Sequence, residues 1–242
     1  MKIPQLPTLK QMLEAGVHFG HKKQYSDARG RDSFHSVRNK VVIIDLEKTL
    51  SSLEEALRFL AHKAKNGATV LFVGTKTQVR NLVKEAAEEI AMPYVTNRWL
   101  GGTLTNFETI EQNLKKLTRL EEELNNPQVV KTKKEKTVLQ RTIERAKFNL
   151  GGVSTLKKLP EVLFVVDPVE EKLAVKEAIT IGIPVVALLD TNANPRGIDY
   201  PIPANDDALK ALEMMVGLVK ETIKSNYKAP LVEEKPVPVK EK

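Results

Sequence analysis

Apolar residues in this chain follow two rhythms. Short, nearly unbroken runs occur at Val41 to Asp45, Val70 to Val73, Pro93 to Val95, Val162 to Val166 and Val185 to Leu189. Between and after them lie longer stretches of helical period, from Ser51 to Gly67, Thr77 to Ala91, Val169 to Ile181 and Asp206 to about Ser225. Runs this short and this apolar suit strands covered on both faces, and strands that alternate with helices need crossover connections. The pattern therefore predicts an α/β fold: five strands in a parallel sheet with helices on both faces. Ser51 and Ser52 each stand three residues before a glutamate, the spacing of a capping box, and predict a helix start there. Thr8 to Ala15 predicts a short helix capped by Thr8 and closed by Gly16.

One region breaks the alternation. Leu104, Phe107, Ile110, Leu114, Leu117 and Leu124 recur mostly at three- and four-residue steps, as do Leu139, Ile143, Ala146 and Leu150. Asn125-Asn126-Pro127 separates the two series, which predicts an antiparallel helical hairpin whose narrow apolar stripes face each other. Gly101-Gly102 and Gly151-Gly152 bracket it, where glycine permits close passage of two chain segments. The expected organisation is a body of residues 1–104 and 153–225, an insert of residues 105–152, and a tail of residues 226–242. That tail has too few apolar side chains among its prolines and charges to order itself.

Charge narrows the function. Lys and Arg number 38 against 31 Asp and Glu, a net +7 that favours a polyanionic partner. The excess is concentrated. Between His21 and Val41, Lys22, Lys23, Arg29, Arg31, Arg38 and Lys40 are opposed only by Asp27 and Asp32, in a segment without clear periodicity that reads as an extended phosphate-contacting arm. A second basic cluster, Lys131, Lys133, Lys134 and Lys136, marks the hairpin tip, and Lys76 and Arg98 stand at a strand end and beside the insert. The absence of cysteine excludes disulfides, a thiol nucleophile and cysteine-ligated metal. No apolar run approaches the roughly 20 residues that span a bilayer, and the first ten residues do not read as a signal peptide, so a cytoplasmic location is expected.

Candidate chemistry is thin. Gly74-Thr75-Lys76-Thr77, Asp167-Pro168 and Asp190-Thr191-Asn192 lie where strands end, the usual ligand position in a parallel sheet. Neither phosphate-binding glycine signature is present, however, and strand-to-helix turns favour Gly, Thr and Asp for conformational reasons. His18 and His21 have H-x-x-H spacing without an obvious third ligand. Ser154 follows Gly152 as in a nucleophile elbow, but Leu156 occupies the second glycine position. Asp206 and Asp207 suit a helix start. Trp99 reads as a core anchor more readily than as a base-stacking platform. No active site assembles, and no enzyme activity, cofactor, metal or small-molecule substrate is expected. Two alternatives stay open: a sensor or enzyme holding a phosphorylated metabolite at Gly74-Thr75-Lys76, and a scaffold whose hairpin and tail recruit proteins.

Several motifs in order resemble the bacterial small-ribosomal-subunit protein two family. They are Gly16-Val17-His18-Phe19-Gly20-His21, Ile43-Ile44-Asp45-Leu46-Glu47-Lys48-Thr49, Val73-Gly74-Thr75-Lys76, Arg98-Trp99-Leu100-Gly101-Gly102-Thr103-Leu104-Thr105-Asn106, Asp190-Thr191-Asn192 and Ile198-Asp199-Tyr200-Pro201-Ile202-Pro203. The resemblance implies a flavodoxin-like sheet with an inserted coiled-coil hairpin. It also implies a non-catalytic ribosomal component that binds small-subunit rRNA between head and body. Neighbouring small-subunit proteins would then be partners, and the large mRNA-binding ribosomal protein one would be recruited.

Overall fold

A computed structural model describes residues 1–125 and 132–228. The expected break at Asn126-Pro127, the tip residue Lys131 and the tail beyond Lys228 lie outside the described residues, as does the side chain of Lys133. Helices are α1 (Leu9–Glu14), α2 (Leu46–Lys65), α3 (Arg80–Glu89), α4 (Phe107–Asn125), α5 (Lys133–Leu150), α6 (Lys172–Ile181) and α7 (Leu209–Asn226). Strands are β1 (Phe19–Lys22), β2 (Phe34–Arg38), β3 (Val41–Ile44), β4 (Val70–Val73), β5 (Tyr94–Val95), β6 (Val162–Val166), β7 (Val185–Leu189) and β8 (Tyr200–Pro203).

Five strands form a sheet in the order β5-β4-β6-β7-β8, every neighbouring pair parallel. Counted along the chain, that order is second, first, third, fourth, fifth, the flavodoxin-like arrangement. All residues of β4, β6 and β7 are buried, and their alternation divides them between two cores. Phe72, Phe164, Val186 and Leu188 pack with α2, α3 and α7, whereas Val73, Val165, Ala187 and Leu189 pack with α6, Trp99 and the roots of α4 and α5. Phe72 and Phe164 meet edge to face with ring centroids 5.2 Å apart, the arrangement the ring quadrupoles favour. α4 and α5 lie side by side, with Ile110, Leu117, Ile143 and Leu150 buried as the stripe spacing requires. Lys147 adds an ion pair to Glu121 at 2.6 Å.

The sheet has the expected number of strands but not the expected membership. β3 belongs to a separate antiparallel sheet of order β1-β3-β2, and β8 fills the fifth place. The burial of β3 alternates, with Val42 and Ile44 inside and Val41 and Ile43 half-exposed, as one face of an antiparallel sheet allows. β8 reads Tyr-Pro-Ile-Pro and lies at the sheet edge, where missing proline N–H groups do not interrupt a central ladder.

Two more expectations need correction. The basic segment is not an extended arm: it folds as the end of β1, two 3₁₀ turns (Lys23–Tyr25 and Ala28–Ser33) and β2. Asn39 and Lys40, at φ 48° and 66°, form the two-residue turn into β3, with Arg38 opposite Val41. Secondly, α2 begins five residues before Ser51, because Asp45 follows the strand directly and its carboxylate accepts from the Glu47 and Lys48 N–H groups. The Thr8 cap is as expected and forms a capping box with Gln11.

Candidate nucleic-acid interface and acidic centre

The carboxyl ends of four parallel strands converge on one ion cluster. Gly74-Thr75-Lys76 leaves β4, Asp167 leaves β6, Asp190 leaves β7, and Asn205-Asp206-Asp207 follows β8. Lys76 Nζ lies 2.7 Å from Asp206 Oδ1, 2.5 Å from Asp207 Oδ1 and 3.6 Å from Asp167 Oδ2, with its side chain only 18% exposed. From the small sheet, His21 sets Nδ1 3.1 Å from Asp190 Oδ2 and Nε2 3.6 Å from Asp207 Oδ2. Gly20 permits that approach, since a Cβ there would stand 2.5 Å from Thr191 Cγ2. The Thr191 hydroxyl in turn accepts from the His21 N–H at 2.9 Å.

Burial and mutual repulsion set the charges. Burial, with Asp167 and Asp190 nearby, pushes the Asp206 carboxyl up to about 7 against the pull of Lys76. The Asp190 carboxylate beside Nδ1 raises His21 to about 8, outweighing its burial. Burial lowers the Lys76 ammonium, but Asp206 and Asp207 more than offset this and hold it above its ordinary value. A phosphate entering here would meet Asp167, Asp206 and Asp207, and the charge of Lys76 is already neutralised. The centre therefore disfavours the phosphorylated-metabolite alternative. Its chemistry suits cations: His21, Asp190, Asp206 and Asp207 present ligand atoms within 4.8 Å of one another, a set able to surround one divalent ion if Lys76 withdrew. His18 is not part of that set; its ring meets Phe19 in a tilted contact, centroids 4.0 Å apart, and lines a different cavity.

The basic residues divide by environment. Lys22 and Arg38 flank Val41 on adjacent strands, and the Lys23 N–H donates to the Lys40 carbonyl at 2.8 Å, so all four cations gather at one end of the small sheet. They are exposed and, among the described residues, take part in no ion pair; the same holds for Arg31, Arg98 and Lys134. Arg29 differs, because its guanidinium grips Asp27 with Nε at 2.9 Å and Nη2 at 2.5 Å. Trp99 is buried beside exposed Arg98, and its indole donates to Glu177 at 3.1 Å. Glu177 was not singled out by sequence. Its one signal is a carboxylate on the apolar face of α6, between Val175 and Ala178.

A parallel sheet whose strand-end crevice is closed by internal ion pairs, beside a surface of cations unpaired among the described residues, defines a flavodoxin-like scaffold. The family model for ribosomal protein S2 matches residues 12–226. Over 217 residues the chain is 45% identical to the small ribosomal subunit protein uS2 of a Nitratiruptor species, covering 89% of this chain and 81% of that protein. The chain belongs to the ribosomal protein S2 family, a family with a structural role in the ribosome. No helix among the described residues is long and apolar enough to cross a membrane.

Proposed function

We propose that the protein is a structural constituent of the small ribosomal subunit that binds small-subunit rRNA where the head meets the body, acting in the cytoplasm. The observation that carries the RNA contact is the cluster of Lys22, Lys23, Arg38 and Lys40 at one end of the small sheet, exposed and without carboxylate partners. Such cations release condensed counterions when they meet phosphates. Arg31, Arg98 and Lys134 extend the contact, together with Lys131 and Lys133 of the expected tip. Lys76 is left out, because a cation held by three carboxylates has no charge to offer a phosphate. Arg29 stays in the contact, because its guanidinium is half-exposed and pairs with a single carboxylate. Residues 105–152 act as the projecting insert of a body formed by 1–104 and 153–225, with 226–242 as a tail. Neighbouring subunit proteins, including ribosomal protein one where present, are the protein partners.

Sedimentation of the tagged protein through sucrose at low and high salt tests this reading. Migration with small subunits, weakened by joint replacement of Lys22, Arg38 and Lys40 with alanine, is the expected result. Migration as free protein in both conditions would overturn it.

A further inference from the structure

A second groove, of about 400 Å³, lies between α6 and the loop that joins β7 to β8. None of the acidic-centre residues Lys76, Asp190, Asp206 and Asp207 lines it. Lys172 and Lys176 come from α6, Arg196 from the loop, and Arg29 from the small sheet's 3₁₀ turn, with Asp27 as the lone carboxylate. Four cations against one anion leave the groove at a net +3. Asp27 is already engaged: the Arg29 guanidinium holds its carboxyl down to about 2, with Arg196 adding to the effect. Lys172, Lys176 and Arg196 form no ion pair among the described residues. Lys172 and Lys176 also stand one turn apart on one helix face, where like charges repel. The folded protein therefore holds three uncompensated cations around a groove whose walls include half-exposed Val169 and Ile179.

We propose that this groove is a second RNA-backbone site, separate from the cationic end of the small sheet. Lys172 and Lys176 are offset by about 6 Å along the helix, a spacing comparable with that of successive phosphates on a strand. They would take adjacent phosphates while Arg196 closes the opposite wall. The apolar patches of Val169 and Ile179 suit a ribose face. No aromatic side chain lines the groove, so it lacks a platform for base stacking and makes a contact indifferent to sequence.

This inference rests on the rRNA-binding reading above, and the test separates the two. Binding of the full chain to a small-subunit rRNA transcript is measured across a salt series, for wild type and for the triple variant Lys172→Gln, Lys176→Gln, Arg196→Gln. Each lost phosphate contact lowers the log–log salt slope by roughly 0.7 to 0.9, so the triple variant should lose about 2 units and Lys176→Gln alone about 0.7. The variant's loss should be equal on an unrelated RNA of the same length. Thermal unfolding of both variants checks that they remain folded, as expected for exposed positions on α6 and in the loop between β7 and β8. A steep wild-type slope that the triple variant retains overturns the groove and leaves the functional reading intact. A loss seen only with an acidic protein partner, and not with RNA, also overturns it. Absence of salt-dependent binding by wild type removes both.

Discussion

The indole N–H of Trp99 donates to Glu177 Oε1 at 3.1 Å, joining the loop before α4 to a helix 78 residues downstream. The same oxygen accepts from the Gly102 N–H at 2.8 Å, and Oε2 accepts from the Leu104 and Thr105 N–H groups at 3.0 and 3.1 Å and from the Thr105 hydroxyl at 3.1 Å. One buried carboxylate thus satisfies the backbone of the turn that roots the helical pair. Burial pushes the Glu177 carboxyl up, but these donors outweigh it and hold it below its ordinary range.

Glu177→Gln replaces one acceptor with an amide NH₂ that faces backbone N–H donors. We expect a destabilisation of about 2–3 kcal/mol, since hydrogen bonds to a charged group are strong and an unpaired buried donor is costly. Urea unfolding monitored by the fluorescence of Trp99, the single tryptophan, reads both the stability and the local environment. An unchanged midpoint would remove Glu177 as the organiser of the turn.

The closing glycine pair separates two roles. A Cβ on Gly152 would stand 2.2 Å from the Tyr94 carbonyl oxygen, so β5 and this turn touch backbone to backbone. Gly152→Ala should cost about 2–3 kcal/mol through overpacking. Gly151 has helical angles, φ −56° and ψ −41°, and nothing within 4 Å of an added Cβ. Gly151→Ala should stabilise by about 0.5 kcal/mol by restricting the unfolded chain. Denaturation midpoints moving in opposite directions confirm the assignment; equal losses at both positions contradict it.

The acidic centre makes stability depend on pH near neutrality. His21, raised to about 8 by Asp190, lies above the roughly 6.5 of an unfolded histidine. Its contribution is full below about 6.5 and is lost as pH rises through about 8. Asp206, pushed up to about 7 by burial, acts in the same direction, because the folded state holds its proton more tightly than the unfolded state does. The groups facing His21 are Asp190, Asp206 and Asp207, with Lys76 bridging the last two. Unfolding free energies measured from about pH 6 to about pH 9 should fall for wild type and fall less for His21→Gln. Parallel curves would show that His21 does not titrate across this window.

Much of the fold was legible in short-range pattern. The runs at β4, β6 and β7 identify strands buried on both faces, and the stripes through Ile110, Leu117, Ile143 and Leu150 identify two helices that need each other. The basic excess between Lys22 and Lys40 was equally plain. These features are local, since a side chain's alternation reports its own face and a cluster of like charges is visible within one short window. Tertiary structure alone decided which segment joined which sheet: the run of β3 pairs outside the parallel sheet, and β8, which no apolar run announces, fills the fifth place, because membership depends on the strands available to pair. It also decided which cations remain free. Lys76 meets Asp206 across 130 positions, whereas Arg38 and Lys22 stand opposite half-exposed Val41 on either side of β3. Nothing near Lys76 in sequence signals its partner, because this ion pair is closed over a separation that no local window contains.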